Sequence, residues 1–260
     1  MRSHENAGRF MTLSPPQLAL WILVGAGLNG CGSDSDTIES DAFRFTFDED
    51  LEGWTTGFAD YPMGTSEAEQ QAIDEFYELD SGHAGLPDPL DAADGALRQS
   101  GNNHSDDLFM FLKRRIGGLE ADTTYRLELH VAFATNAPSG CFGIGGSPGE
   151  SVFVKGGATS VEPLRIADAA DHTRWVMNID KSDQSEGGAD TQLLGDFANS
   201  KNCSLGDFSY ELKTLSNVGL PAFHVTTDSI GDVWLLLGTD SGFEGTTTIY
   251  YTEVEAIFIE

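Results

Sequence analysis

The sequence predicts an all-β protein, an antiparallel β-sandwich interrupted by one short helical insertion. Three observations lead to that class. Residues 125–135 alternate without a break, with Tyr125, Leu127, Leu129, Val131 and Phe133 on one face and Arg126, Glu128 and His130 on the other. That period of two is the pattern of a half-buried strand. Short alternating or apolar runs then recur along the chain, divided by turns rich in Gly, Asp, Asn and Ser, as two packed antiparallel sheets require. Helix signals gather in one stretch, where Ser66-Glu67-Ala68-Glu69 forms a capping box and good helix formers follow to about Tyr77.

The chain opens differently. Leu18 to Leu28 is an apolar run too short to span a bilayer, which needs about 20 such residues. Arg2 and Arg9 precede it, and Gly30-Cys31 closes it. A basic start, a short apolar run and a small residue fit an export signal, and the Gly-Cys ending resembles the lipobox of bacterial lipoproteins, from which Asn29 departs by its size and polarity. The resemblance implies a diacylglycerol on the Cys31 sulfur, cleavage before Cys31, and acylation of the new N-terminus. Two buried chains make such an anchor stable. The organisation expected is therefore a signal peptide at 1–30, a flexible polar tether at 31–40 and a single β-sandwich domain at 41–260. The implied location is outside the cytosol, lipid-anchored to a bacterial membrane, with the outer membrane favoured, facing the periplasm or the cell surface.

Residues 42–47 begin the sandwich, with Phe43, Phe45 and Phe47 on one face. The acidic turn Asp48-Glu49-Asp50-Leu51-Glu52-Gly53 and then Trp54 follow. A phenylalanine strand, an acidic turn and Gly-Trp resemble the opening of bacterial jelly-roll modules of the carbohydrate-binding, galactose-binding-like type. In those modules the opening strand contributes oxygen ligands to a structural calcium. The resemblance thus implies a jelly-roll fold, Ca2+ as a structural ion and Asp48, Asp50 and Glu52 as its candidate ligands; a merely solvated acidic turn is the alternative. Residues 60–95 break the strand rhythm and form the insertion that carries the helix, ended by the proline-stiffened 86–90.

Strands are expected at 96–100 and 108–112, joined by 101–107. The second is apolar on both sides (Leu108, Phe109, Met110, Phe111, Leu112), so it should be central and covered on both faces. Lys113-Arg114-Arg115 is expected to pair with nearby carboxylates. The turn at 117–124 leads into the long strand, and its Gly-Leu, acidic, Thr-Thr-Tyr-Arg-Leu sequence is a second feature similar to jelly-roll carbohydrate-binding modules. Further strands are expected at 151–155, 174–179, 208–214, 222–226, 233–238 and 247–259, with a long polar loop at 180–190.

With 42 acidic and 14 basic residues the formal net charge is −28, a field that repels nucleic acid and attracts cations. No nucleic-acid partner is expected. Cys141 and Cys203, in an exported chain, are expected to form a disulfide. Gly145-Gly146-Ser147-Pro148-Gly149 matches the Gly-x-Ser-x-Gly hydrolase pattern, but Pro148 has no N–H for an oxyanion hole and a strand, not a helix, follows. It reads as a glycine-rich loop. The polar cluster His104, Asp106 and Asp107, together with Trp54 as a stacking ring, forms the expected ligand face, with a glycan as the partner that the resemblance implies. The leading expectation is a lipid-anchored binding module without catalytic residues. The alternatives are a hydrolase of envelope or imported polymers, using a pair of carboxylates that 42 acids conceal, and a structural envelope lipoprotein.

Overall fold

The computed structural model describes residues 40–170 and 172–260. Cys31, the apolar run before it and residues 31–39 of the tether lie outside the described residues. In chain order the elements begin with β1 (Ser40–Phe45), β2 (Thr55–Ala59), β3 (Tyr61–Pro62), α1 (Glu67–Phe76), β4 (Asp80–Gly85) and β5 (Gly95–Asn102). They continue with β6 (Leu108–Ile116), β7 (Thr124–Thr135), β8 (Pro138–Ser139), β9 (Val152–Thr159), β10 (Arg165–Ala167) and β11 (Arg174–Met177). The last are β12 (Gln192–Asp196), β13 (Asn199–Asn202), β14 (Glu211–Ser216), β15 (Phe223–Thr226), β16 (Val233–Ser241) and β17 (Thr246–Ile259). The helix is capped as its sequence demands: the Ser66 side chain accepts from Glu69 N.

Two antiparallel sheets carry the sandwich. The first runs β14-β7-β17-β5-β4, with β1 also beside β17 and β15 also beside β7. The second runs β12-β9-β16-β6-β2. The chain passes from one sheet to the other at most of its connections, which is the jelly-roll manner of closing two sheets on one core. The long central strands β7 and β17 each serve two shorter partners on an outer edge. The Tyr125–Phe133 alternation lies in the core as expected. In β17 a bulge between Tyr251 and Glu253 shifts the alternation by one residue, so Tyr251 and Val254 both point inward.

Among the strands of the two main sheets, β2, β4 and β12 have no counterpart among the expected strands, and neither do the short β3, β8, β10 and β13 outside those sheets. Strands β2, β4 and β12 are short, rich in Gly, Thr or polar residues, and lie at sheet edges, where backbone pairing on one side is enough to hold them. The prediction for β6 is met. Leu108, Met110 and Leu112 enter the main core, while Phe109 and Phe111 lie on the outer face of the second sheet in a smaller apolar cluster with Ala59, Leu236, Met177 and Ile179. The cover on that face comes from β11 and the residues after it. The phenylalanine rings lie flat because glycine faces them: a Cβ on Gly57 would come within 2.4 Å of the Phe111 ring, and one on Gly238 within 2.7 Å of the Phe109 ring. Cys141 and Cys203 are joined by a disulfide, with Cα atoms 5.1 Å apart. Lys113 pairs with Glu162 at 2.6 Å and Arg115 with Asp232.

Candidate functional site

The four residues expected to share a ligand face are not brought together. Trp54 is 2% exposed, with its ring edge-on to Phe45 (5.4 Å) and Phe47 (6.2 Å) in the core. The turn before it, with Glu52 and Gly53 in the left-handed region, folds the ring under the sandwich, so no face remains for a sugar to stack on. His104 is exposed and stacks on Phe76 at 4.1 Å, its Nε2 bonded to the Phe76 carbonyl. The exposed Asp106 only offers its carbonyl to Gln184 Nε2. Asp107 alone reaches a cavity. The acidic turn closes on its own backbone: Glu52 Oε1 accepts from Thr46 N and Phe47 N, Asp50 Oδ1 from Glu52 N, and Asp48 Oδ2 from the Thr46 hydroxyl. Among the described residues, the one group of acids whose donor atoms converge lies elsewhere, at Asp60, Asp107 and Asp240. The Ser147 hydroxyl donates to Glu150 and caps its own turn.

That convergence belongs to a charge cluster on the outer face of the second sheet. Lys155 Nζ is 2.8 Å from Asp240 Oδ2, and both side chains are fully buried. Lys181 Nζ bridges Asp240 Oδ2 (2.8 Å) and Asp60 Oδ2 (2.7 Å) and lies 4.9 Å from the Phe109 ring centre. Arg174 Nη2 donates to Asp107 Oδ2 at 2.9 Å. Burial, then the neighbouring Asp60 and Asp240 charges, push the Asp107 carboxyl up to about 7. Burial also raises Asp60, against the pull of Lys181. Burial lowers Lys155 against the pull of Asp240, while around Lys181 the two carboxylates outweigh burial and hold the ammonium above its usual range. Asp60, Asp107, Arg174 and Lys181 line a cavity of about 360 Å³.

A second concave region lies between edge strand β2 and the insertion. Two cavities, of about 420 and 410 Å³, meet at Asp74. The first has Phe58, Phe111, Leu79 and Leu164 as its apolar lining and Thr56, Lys113 and Arg165 as polar groups. The second is walled by Trp175, Gln70 and the start of α1. A hydrogen-bonded chain fixes the junction. Trp175 Nε1 donates to Gln70 Oε1 (2.8 Å), Gln70 Nε2 donates to Asp74 Oδ1 (2.7 Å), and the Tyr61 hydroxyl donates to the same oxygen (2.8 Å). Arg165 donates to the Tyr61 hydroxyl, and its guanidinium lies 4.7 Å from the Trp175 ring centre. Burial raises the Tyr61 phenol well above its usual value, so it stays protonated as a donor. Arg165 is exposed and, among the described residues, has no carboxylate within 4.0 Å, unlike most of the chain's cations.

Sequence reasoning missed this groove. Trp175 alternates with Met177 and Ile179 and so reads as core; it is half-buried at a cavity wall, while Trp54 has the core position. The one local signal was the helix face that repeats Gln70 and Asp74 four residues apart.

No protein-family model and no curated protein matches the chain. Solved structures similar to it share little sequence. A carbohydrate-binding module of the β-sandwich superfamily, described for promiscuous specificity, is 13% identical with a TM-score of 0.36, over 80% of this chain and 58% of that one. A carbohydrate-binding module described for specific mannan recognition is 7% identical with a TM-score of 0.34, over 85% and 98% of the two chains. The enzymatically active domain of tailspike protein 4 from bacteriophage CBA120 is 8% identical with a TM-score of 0.31, over 80% and 20%. The chain thus spans about three fifths and one fifth of the first and third. Its own strand pairing, and not these likenesses, establishes the all-β antiparallel sandwich.

Proposed function

We propose that the chain is a glycan-binding module, exported and tied to a bacterial membrane by lipid on Cys31, with its ligand held in the groove between β2 and the insertion. The observation that carries this reading is the composition of the groove. Ring and alkyl surface from Phe58, Leu79 and Trp175 lies beside polar groups already locked in place by the Trp175–Gln70–Asp74–Tyr61–Arg165 chain. A sugar presents both an apolar ring face and hydroxyls, and pockets of about 300–1,000 Å³ with a few fixed polar groups suit such a ligand. Fixing donors before the ligand arrives lowers the ordering cost of binding. Arg165, free of a carboxylate partner, has donors to spare for hydroxyl oxygens.

Affinity electrophoresis against a panel of neutral and acidic polysaccharides tests the reading. Retardation by at least one polymer is expected, and Trp175→Ala or Arg165→Gln should weaken it tenfold or more. Retardation by none, or undiminished binding by both variants, would reject the groove as the site. The anchor is tested separately: palmitate incorporated in a bacterial host must vanish in Cys31→Ala.

A further inference from the structure

The pair of Lys155 and Asp240 takes no part in the groove, and the glycan reading makes no use of it. Lys155 of β9 stands opposite Gly238 of β16, and Asp240 follows two residues on, with both side chains on the outer face of the second sheet. They meet across a residue that has no side chain of its own. Among the described residues this is the one ion pair whose two side chains are both wholly enclosed. Lys155 Nζ stands 2.8 Å from Asp240 Oδ2 and gives a second bond, of 3.0 Å, to the Lys181 carbonyl. Asp240 Oδ1 is buried and has no hydrogen-bond partner. An ammonium taken out of water is costly, and so is a carboxylate with one oxygen that nothing solvates. An amide in place of the pair removes both charges. It leaves Lys181 with Asp60 at 2.7 Å and Arg174 with Asp107 at 2.9 Å as two matched pairs.

From this enclosure, the contact of Nζ with the carboxylate and the bare second oxygen, we infer that Lys155 and Asp240 condense in the folded chain to an intramolecular isopeptide bond. One ammonium proton passes to Oδ2 along the 2.8 Å bond, leaving an amine beside a neutral acid. The Nζ lone pair then forms the bond to Cγ while the carbonyl π pair moves onto Oδ1. A second Nζ proton moves to Oδ2, the Cγ–Oδ2 bond breaks, and one water departs as the carbonyl to Oδ1 re-forms. The step is redox-neutral and needs no co-reactant. Burial lowers Lys155 against the pull of Asp240, which favours the uncharged amine that attacks. Lys181 is not the nucleophile, because Asp240 and Asp60 together keep it charged. Its ammonium, 2.8 Å from the same Oδ2, instead donates to the departing oxygen. Lys181 also lines the neighbouring cavity, which gives the released water a way out. The bond ties β9 to β16 beneath the roof of the second sheet.

Peptide mapping of the purified full chain by mass spectrometry decides the matter. After reduction, alkylation and complete tryptic digestion, the peptides that carry Lys155 and Asp240 should appear joined, uncut after Lys155 and lighter than their sum by one water. Fragmentation should place the link between those two residues. In Lys155→Arg, which keeps the charge but has no primary amine, the Asp240 peptide should appear free at its sequence mass. The wild-type map reads the bond by itself, so the test stands even if Lys155→Arg fails to fold. Free peptides of sequence mass from the folded wild type, or a link through Lys181 in place of Lys155, would each overturn the proposal. So would an Asp240 peptide that is one water lighter on its own, as a succinimide, with the Lys155 peptide free.

Discussion

The two sheets share one core, but their outer faces differ in kind. On the first sheet the outer charges stand in water: Arg44 pairs with Glu253 at 2.7 Å, Arg126 with Glu128 at 2.5 Å, and Arg98 with Asp80. On the second, the segment from β11 onward roofs the face, and beneath it lie Phe109, Phe111 and the fully buried pair of Lys155 and Asp240. Both faces hold ion pairs of similar length, yet their energetics diverge. An exposed pair contributes about 0–1 kcal/mol, because water and salt screen it. A buried pair gives little net stability when whole, but removing one partner strands a charge in a low-dielectric interior.

The largest expected effect follows from that asymmetry. Asp240→Ala, which leaves Lys155 and Lys181 without their shared carboxylate, should destabilise the chain by about 3–5 kcal/mol in a denaturant melt. Arg44→Ala on the first sheet, where water and salt already screen the pair, should leave the melting midpoint indistinguishable from that of the wild type. Equal small losses would erase the contrast between the faces. Next in size is a cross-link that belongs to neither face. Replacing Cys141 and Cys203 together by Ser should lower stability by about 2–4 kcal/mol, equally in the wild type and in Arg44→Ala.

Glycine substitutions sharpen the comparison further. Gly238→Ala on the roofed face should lose about 1–3 kcal/mol, because its Cβ would meet the Met110 carbonyl oxygen at 2.6 Å and the Phe109 ring. Gly82→Ala in β4 of the first sheet meets nothing within 4 Å and should change stability by less than about 1 kcal/mol, in the stabilising direction. Matching losses at both positions would mean that the outer face of the second sheet is not packed as described.

How far each face was legible follows from how local its signal is. The Tyr125–Phe133 alternation announced the first sheet and its inward side, and the doubly apolar run from Leu108 to Leu112 announced that the second sheet is covered on both sides. What covers it was not announced. Trp175, Met177 and Ile179 alternate as any sandwich strand would, and nothing local distinguishes a roof strand from a sheet strand. Trp54 looked exposed because it follows an acidic turn, yet the left-handed turn at Glu52 and Gly53 sends it inward. The groove residues Tyr61, Asp74, Arg165 and Trp175 come from four elements, so no spacing could group them.

By itself the sequence determined the all-β class, the capped helix and the apolar side of the long strands, since strand periodicity and helix capping depend on neighbours a few residues apart. The folded chain decided which carboxylates among 42 acids are buried, that Asp60, Asp107 and Asp240 meet, and that Trp175 and not Trp54 borders a cavity. The physical reason is that the cost of a charge, and the exposure of a ring, are set by what packs over them. Here that is a segment far along the chain, folded back across a sheet whose strand β6 shows that it is covered but not by what.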